Sequence, residues 1–410
     1  MNAYRLLALI CIPLLAVSCT AWMEKTAPRP ATKRPQAVVP APPVERPFPT
    51  LQADPAAGID DLDLSSLETA LDRSLQYYEK IKESSFRYGN RDIQVAELRA
   101  SLLAFREILR GEDSVEMKMN RIEATFELVP ATGRDEPSRV IFTGYYIPTL
   151  NGSWIKTGRF RHPLYRKPDD LIVVNLGKFD SKYRREQLIG RMARDELIPY
   201  YTRDEIDRKG ALDGRRLELL WVDDPIALYS LHVQGSGKIR MPDGRIIVVS
   251  YAQSNGRPFR SMSNALIERE KMTAPEVSYP RVQQYLRDNP DELSDLFSYN
   301  DRYIFFRRVE RDPLGSLQVP VTSGRTIATD PDVFPKGALA LIKTRKPLFD
   351  DDGQIRQWVP FSRFVLNQDA GAAIKGPGRV DIFCGDGPNA EQLAGSFKEQ
   401  GEIYILLRKK

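Results

Sequence analysis

The feature that most constrains the fold is a series of short apolar runs, separated by turns, that begins after about residue 126. Apolar runs bounded by Gly, Pro and Asp-Gly turns are typical of β-strands. The runs are VIFTGYYIP, DLIVVNL, LYSLHVQGSGKIRMPDGRIIVVSYA, YIFFRRV, ALALIKTRK, VDIFCG and EIYILLRK, and MPDGR is a hairpin signal. Short strands at regular spacing indicate a barrel or a sandwich. We therefore predict a mainly β fold.

Helices are predicted ahead of this β region. Apolar residues recur at helical spacing from Leu64 to Tyr78, where Ser65 and Glu68 predict a capping box. A second stripe runs from Leu98 to Leu109 and is predicted to end at Gly111. Such stripes indicate ordinary packing helices.

Two helical interruptions are predicted inside the β region. TRDEIDRKGAL contains Thr202 and Glu205 at capping-box spacing. The other helix is predicted from about Pro280 to Leu296. A chain of 410 residues with this pattern is expected to form two or three domains.

Charge and composition restrict the chemistry. A formal net charge of +5 without a concentrated basic stripe does not indicate a nucleic-acid partner. The two histidines, His162 and His232, are far apart in sequence, which disfavours a His-based triad or a His-rich zinc site. Any catalysis is therefore expected to use carboxylates, lysine, tyrosine or cysteine.

The N-terminus predicts export. Arg5 is followed by an apolar run from Leu6 to Val17, and the run is too short to cross a membrane comfortably. Leu15 to Cys19 resembles a bacterial lipobox, which predicts a signal peptide over residues 1–19 and lipidation of Cys19. A plain signal peptide cut nearby is the alternative. Thr20 after the cysteine favours an exported lipoprotein of the outer membrane that faces the periplasm.

A Pro/Ala-rich segment follows the predicted signal. Residues 20–58 include APRPATKRPQAVVPAPPVERPFP, a composition that cannot bury a core and is typical of an extended linker. A lipid anchor and a linker together predict a folded body that works at some distance from the membrane.

Two polar clusters interrupt the apolar runs. Thr143, Tyr145 and Tyr146 lie at the end of one predicted strand, and Gln234-Gly235-Ser236-Gly237 breaks another with small residues. Small residues within a strand allow the backbone of a ligand to approach closely. The residues alone leave a structural interpretation open, in which both clusters are only turns or bulges.

The segment QDAGAAIKGPGRVDIFCG places Asp369 and Asp381 on either side of a glycine-rich turn that also holds Lys375. Asp381 is polar within an apolar strand, so burial there would raise its pKa and let it act as an acid. Lys375 is a candidate to hold an acidic group of a substrate or to lower the pKa of a neighbouring group. Turn chemistry in a β-barrel explains the same residues, and the segment alone does not separate the two interpretations.

This segment resembles the C-terminal three-aspartate domain of the membrane-bound lytic murein transglycosylase A family. FTGYYIP, LELLWVDDPIALYSLHVQGSGKIRMPDGR, SYAQSNGRPF, YNDRYIFF and GSLQVPVTSGRTIATDP are similar to that family's sequence blocks, in the family's order. The resemblance covers roughly residues 120 to 410.

The resemblance implies a double-psi β-barrel catalytic domain, with an inserted second β-barrel domain and a substrate groove between the two. The catalytic domain would be discontinuous and would be formed by residues 59–150, which include its N-terminal helices, together with residues 313–410. Its three-aspartate segment would cover residues 317–387. The inserted, substrate-binding domain would cover residues 151–312.

The resemblance also implies roles for single residues. The three family aspartates fall on Asp330, Asp369 and Asp381, with Asp381 as the general acid/base and Asp369 beside it. The residues predicted to bind substrate are Thr143, Tyr145, Tyr146, Gln234, Gly235, Ser236, Lys375 and Asp330. The implied reaction is non-hydrolytic cleavage of the β-1,4 bond between N-acetylmuramic acid and N-acetylglucosamine, which leaves a 1,6-anhydro ring and needs no metal or cofactor.

Two alternatives remain at this point. Asp381 and Asp369 could serve an inverting hydrolase of β-1,4-glycans as acid and base, or the protein could bind peptidoglycan without cleaving it. The expected partners are peptidoglycan glycan strands, the membrane through the lipid on Cys19, and other cell-wall enzymes.

Overall fold

The computed structural model describes residues 60–82, 84–131, 139–184, 186–310 and 312–410. The predicted signal peptide with Cys19 and the linker over residues 20–58 lie outside these residues. Within the described ranges, no helix combines the length and the apolar character needed to cross a membrane.

Strands predominate in the described part, after a helical start. Its α-helices are α1 (Leu64–Lys80), α2 (Val95–Arg110), α3 (Val115–Thr125), α4 (Arg203–Asp207), α5 (Pro225–Gln234), α6 (Met262–Glu268), α7 (Tyr279–Asp288), α8 (Leu293–Ser298) and α9 (Pro388–Ser396). Its first strands are β1 (Ser85–Tyr88), β2 (Arg91–Gln94), β3 (Phe126–Pro130), β4 (Arg139–Ile147), β5 (Thr149–Ser153), β6 (His162–Tyr165), β7 (Ile172–Asn175), β8 (Gln187–Ala193) and β9 (Glu196–Pro199). The later strands are β10 (Glu218–Val222), β11 (Ser236–Arg240), β12 (Ile246–Ser254), β13 (Ile304–Val309), β14 (Thr326–Ala328), β15 (Leu339–Phe349), β16 (Ile355–Asp369), β17 (Arg379–Asp386) and β18 (Lys398–Arg408). The predicted mainly β fold with N-terminal helices is confirmed.

Six of these strands close into a barrel. They follow one another in the order β15, β16, β14, β17, β4 and β18, and β18 pairs back onto β15. The pairs β14–β16 and β17–β4 are parallel, whereas the other neighbours in the ring are antiparallel. Closure satisfies the backbone hydrogen-bonding groups that an open sheet leaves free at its edges. β3 extends the sheet from β18.

A second sheet of six strands has the order β13, β12, β11, β5, β10 and β6. An isolated bridge between Arg166 and Phe306 connects its two ends. The turn between β11 and β12 is the predicted MPDGR hairpin, with Arg240 paired to Ile246. β7, β8 and β9 form a separate three-stranded sheet.

The structure corrects one predicted strand. Residues 228–234 were expected to be extended, but they form the end of α5. The helix begins because the Asp224 side chain accepts hydrogen bonds from the backbone N–H groups of Ile226 and Ala227, and Pro225 fits the first turn. An apolar run buried on several sides has no periodicity that separates helix from strand.

Two helix predictions also change. α1 is capped by Asp63, which accepts from the backbone N–H of Ser66 at 2.9 Å, so the capping box predicted at Ser65 and Glu68 is wrong. The helix predicted over residues 280–296 is broken into α7 and α8, since Pro290 cannot continue α7. The capping box of Thr202 and Glu205 is confirmed at α4, as is the end of α2 at Gly111.

The N-terminal helices share one hydrophobic core with the barrel. Leu71 of α1 and Phe105 of α2 belong to the same buried cluster as Phe364 of β16 and Ile405 of β18. The rings of Phe105 and Phe364 meet edge to face with their centroids 4.8 Å apart. Each fully buried side chain of this kind contributes about 1.5–3 kcal/mol, so the helices are an integral part of the unit that contains the barrel.

Buried ion pairs attach the start of the described chain to the barrel. Arg325 is 0% exposed, and its Nη1 donates to Asp60 Oδ2 at 2.5 Å. The Arg363 guanidinium donates to both carboxylate oxygens of Asp61 at 2.7 Å, and Lys346 Nζ donates to Asp61 at 2.6 Å. We name Asp60, Asp61 and these three cations the ion-pair cluster.

Candidate functional site

The short strand β14 lies between the two strands that carry the predicted catalytic aspartates. Its last residue, Ala328, pairs with Asp369 of β16 on one side and with Asp381 of β17 on the other. Residues directly opposite each other project from the same face of a sheet. Because adjacent strands are about 4.8 Å apart, the backbones of Asp369 and Asp381 are two strand spacings apart. The structure thus brings the two aspartates together.

Asp381 is half-buried near the start of β17 and contacts β4. Thr143 is its partner across the parallel strands, and the Thr143 hydroxyl donates a hydrogen bond to Asp381 Oδ1. Burial raises the pKa of the Asp381 carboxyl, and the Thr143 hydrogen bond opposes this. The Arg379 charge also lowers the pKa, the Asp369 charge raises it, and the net shift is upward. A carboxyl of this kind keeps its proton closer to neutral pH than an exposed one.

Asp369, at the end of β16, is held by three donors. The Tyr145 hydroxyl donates to Oδ2 at 2.8 Å, and the backbone N–H groups of Ser316 and Ala370 each donate to Oδ1 at 2.8 Å. Burial raises the pKa of Asp369, these hydrogen bonds lower it, and the net shift is upward. Hydrogen bonds to both oxygens fix the orientation of this carboxyl group.

Tyr146 lies on the other face of β4, because successive side chains of a strand alternate. It is 4% exposed, and its hydroxyl lies 2.7 Å from the Tyr279 hydroxyl. Both hydroxyls donate to Glu391 Oε1 at 2.9 Å. The structure therefore separates Tyr146 from the aspartates, whereas its neighbour Tyr145 contacts one of them.

Gln234, Gly235 and Ser236 lie where α5 ends and β11 begins. Gly235 has φ 80°, the left-handed conformation that ends helices and that glycine adopts without strain. Gln234 Oε1 accepts from the backbone N–H of Tyr146 at 3.2 Å, which brings this cluster next to β4. Ser236 is 8% exposed, and its hydroxyl lies 3.2 Å from that of Ser250.

Asp330 and Lys375 form a third location. Asp330 is 6% exposed and accepts from the backbone N–H groups of Gly376 at 2.8 Å and Asp332 at 3.1 Å. Lys375 Nζ lies 3.6 Å from Asp330 Oδ1, and its side chain is 62% exposed. These contacts attach the glycine-rich turn between Asp369 and Asp381 to the segment after β14.

Sequence reasoning missed Arg379 and Ser316. Arg379 precedes Asp381 by two residues, so strand alternation places both on one face, and this signal was readable. Ser316 acts through its backbone N–H, which the side-chain pattern does not reveal. The neighbouring Gly315 is required by close packing, since a Cβ there would lie 2.7 Å from the carbonyl oxygen of Gln368.

Cys384 lies on β17, three residues after Asp381. Burial raises the pKa of its thiol to about 12, so the thiol stays protonated near neutral pH. Its Sγ donates to the carbonyl oxygen of Ile382 at 3.4 Å. Cys384 therefore acts as a small packing residue beside Tyr146 and Ala394.

Comparison with known proteins gives matches over most of the chain. The MltA specific insert domain matches residues 141–307, and the 3D domain matches residues 325–407. The membrane-bound lytic murein transglycosylase A of Escherichia coli K12 is 28% identical over 307 residues, which are 74% of this chain and 74% of that protein.

Solved structures agree with these matches. A membrane-bound lytic murein transglycosylase from Agrobacterium tumefaciens superposes with a TM-score of 0.70 and 30% identity, covering 84% of this chain and 93% of that one. Escherichia coli MltA with bound chitohexaose shares the fold, with a TM-score of 0.66 and 22% identity over 90% of this chain and 96% of that one. The chain therefore belongs to the membrane-bound lytic murein transglycosylase A family and is an enzyme of that family.

Proposed function

We propose that this enzyme is a peptidoglycan lytic transglycosylase that cleaves the β-1,4 bond between N-acetylmuramic acid and N-acetylglucosamine. The observation that carries the proposal is the arrangement of Asp381 and Asp369 on either side of Ala328, with the pKa of both carboxyls raised. Most enzymes that break glycosidic bonds use a pair of carboxyl groups that flank the scissile bond.

Asp381 is assigned the proton transfers. In its protonated form it donates to the bridging oxygen as the bond from C1 of the muramic residue to that oxygen breaks. The resulting carboxylate then takes the proton of the C6 hydroxyl of the same muramic residue, as the C6 oxygen bonds to C1. The product is a 1,6-anhydro ring, and Asp381 regains its proton. An intramolecular nucleophile has a high effective concentration and replaces water in this scheme.

Asp369 is assigned an electrostatic role. Its three donors orient the carboxylate and favour its charged form. A fixed negative charge near C1 stabilises the positive charge that develops there in the transition state. The same charge raises the pKa of Asp381 and so helps to keep the acid protonated.

The substrate is proposed to bind between two domains. Residues 59–150 and 313–410 would form the double-psi barrel domain, and residues 151–312 the inserted second barrel. The parallel pairs β14–β16 and β17–β4 support the first assignment, and the bridge from Arg166 to Phe306 supports the second. Lys238 of β11 contacts Asp386 at the end of β17, the strand that carries Asp381, which supports a groove where the two sheets meet.

The remaining predicted substrate residues are also assigned to this groove, and a separate contact supports each assignment. Gln234 and Gly235 adjoin β4, and Ser236 lies beside them. Lys375 is exposed on the turn that connects Asp369 to Asp381. Asp330 holds that turn by accepting a hydrogen bond from the backbone N–H of Gly376.

Membrane attachment is proposed to come from a lipid on Cys19, followed by the linker. The relatives' description as membrane-bound supports an association with a membrane. Glycan strands would then be reached from an anchor on the periplasmic face of the outer membrane.

The test is mass spectrometry of digests of purified cell-wall sacculi, with the wild type and Asp381→Asn side by side. We expect 1,6-anhydro ends from the wild type and a rate lower by about 10²–10⁴-fold for the variant, the range that general acid–base catalysis contributes. Asp351→Asn, an exposed turn carboxylate on the same barrel, is the control and should behave as the wild type.

Other outcomes would contradict the proposal in distinct ways. Reducing muramic ends, heavier by one water, would identify a hydrolase in place of a transglycosylase. Binding of sacculi without any released product by either protein would identify a binding protein. Full activity of Asp381→Asn would remove Asp381 from the chemistry.

A further inference from the structure

A short chain of hydrogen bonds leads from a cation to the proposed acid. Arg379 Nη2 donates to Thr143 Oγ1 at 3.2 Å, and the Thr143 hydroxyl in turn donates to Asp381 Oδ1. Arg379 and Asp381 lie two residues apart on β17 and face the same side, and Thr143 is paired with Asp381 on β4. The register of two parallel strands therefore fixes all three groups.

The hydrogen bonds between Arg379, Thr143 and Asp381 all donate in one direction, towards Asp381. A guanidinium group has donors and no acceptor, so Arg379 must donate to the Thr143 oxygen. In the described part of the chain, the acceptor recorded for the Thr143 hydrogen is Asp381 Oδ1. Turning the hydroxyl away would leave a partly buried hydrogen unpaired, which is unfavourable. A neighbouring cation also polarises the hydroxyl and strengthens its donation.

An acceptor oxygen that already receives this hydrogen is a poor place for the acid proton. We propose that Arg379 and Thr143 are positioning residues that confine the acid proton of Asp381 to its other oxygen, Oδ2. The inference rests on the proposed role of Asp381 and assigns Thr143 a task different from the sugar contact expected from the sequence. The proton then leaves from, and returns to, one oxygen in a fixed direction.

Other ionisable groups surround Asp381 and must be considered with it. Cys384 lies on its own strand, Tyr145 on β4 and Asp369 on β16. Glu391 of α9, which packs against β17, is engaged by two tyrosine hydroxyls. Arg379 is the cation recorded as acting on Asp381, and its Nε is buried without a partner among the described residues.

The experiment measures the initial rate of anhydro-product release from sacculi against pH, with the full chain. The variants are Arg379→Met, Thr143→Val, Thr143→Ser and the double variant Thr143→Val/Arg379→Met. Arg345→Met, which removes an exposed barrel arginine paired with Glu399 at 2.6 Å, is the control for loss of a surface cation. Thermal unfolding of each variant monitors the fold.

We expect the plateau rate of Arg379→Met and of Thr143→Val to fall by about tenfold, within the penalty of up to about 10²-fold for a misplaced reacting group. Both changes remove an influence that lowers the pKa of Asp381, so the alkaline limb should move to higher pH. Thr143→Ser keeps the hydroxyl and should restore the wild-type profile. The plateau rate of the double variant should be no lower than that of Thr143→Val, because Arg379 positions the proton through the Thr143 hydroxyl.

An unchanged plateau for Arg379→Met, or losses that multiply in the double variant, would overturn the inference. Asp381→Asn, measured in parallel, separates the proposed catalytic role of Asp381 from the positioning role of Arg379 and Thr143. If that variant is inactive while Arg379→Met is normal, the proposed function stands and only the positioning role fails. If Asp381→Asn is fully active, the proposed function itself fails.

Discussion

The barrel holds two pairs of carboxylates in opposite electrostatic settings. In the ion-pair cluster, burial alone would raise the pKa of Asp61, but the hydrogen bonds and charges of Arg363 and Lys346 bring the net shift below the usual value. Asp369 and Asp381 are also enclosed by protein, yet the hydrogen bonds they receive come from hydroxyl and backbone groups, and the net shift of each pKa is upward.

The difference teaches that burial alone does not make a carboxyl reactive. A cation in direct contact keeps a buried carboxylate ionised and makes it a structural attachment point. Donors without charge allow a carboxyl to be buried and still exchange a proton near neutral pH. In this barrel, the carboxylate in direct contact with two cations has a lowered pKa, whereas the two carboxyls without such contacts have raised pKa values.

The largest expected effect comes from breaking the ion-pair cluster. Asp60→Asn should lower the free energy of unfolding by about 3–5 kcal/mol, because it leaves the fully buried Arg325 without its counter-charge. Asp381→Asn should be at least as stable as the wild type at neutral pH, since it removes a carboxyl that burial disfavours in its ionised form. Urea unfolding of both variants provides the measurement.

Asp169→Asn is the control, because it removes a carboxylate that is 84% exposed and paired with Arg166 at 3.2 Å. Surface changes of this kind stay within about 0.5 kcal/mol of the wild type. If Asp60→Asn unfolded like this control, the ion-pair cluster would not be the attachment point that its geometry indicates.

An intermediate effect is expected for the pair Asp369 and Asp381. Asp369→Asn removes a charge that raises the pKa of Asp381, so the alkaline limb of the pH–rate profile should move to lower pH. The rate at the optimum should fall by about ten- to a hundredfold through lost electrostatic stabilisation. The profile is measured on sacculi, with Asp351→Asn as the control. A limb that stayed in place would mean that the two carboxyls do not influence each other.

The smallest expected effect is a difference in how stability depends on pH. Asp61 has a lowered pKa in the folded state, so its contribution is present above its unfolded pKa of about 3.9 and is lost as the pH falls through the folded pKa. Asp61→Asn should therefore lose more stability at about pH 7 than at about pH 3.

Asp381 has the opposite sign. Its folded pKa is raised, so the wild type loses stability as the pH rises from about 3.9 through that raised value. The free energy of unfolding of Asp381→Asn, relative to that of the wild type, should thus rise between about pH 4 and pH 7. Urea unfolding at a series of pH values measures the free energy of unfolding of both variants. If its difference from the wild type changed with pH in the same direction for both, Asp61 and Asp381 would not lie in opposite electrostatic settings.

Much of the architecture could be predicted because its signals are local. Short apolar runs bounded by turns identified strands such as β4 and β17, and the Thr202 and Glu205 spacing identified a helix start. The polar Asp381 within an apolar strand indicated a carboxyl with a raised pKa. Strand alternation also separates Tyr145 from Tyr146, although the two adjacent tyrosines were expected to act together.

The remainder depends on contacts between distant segments. The pairing of Ala328 with both aspartates follows from strand order, which periodicity does not encode. The Ser316 donor is a backbone group, and its position is set by the packing of Gly315. The segment of α5 was predicted as a strand because its apolar residues are buried on several sides.

The closed ring of strands also has a consequence in time. β4 is made early in synthesis, but its partners are β17 and β18, and Thr143 lies 238 residues from Asp381. Contacts this distant in sequence form late and slowly. An unfinished chain therefore lacks the contact between Thr143 and Asp381, even where its helices and its second sheet have already formed. The barrel can close only after β17 and β18 have been made, so we expect the enzyme to become active only once the whole chain has been synthesised.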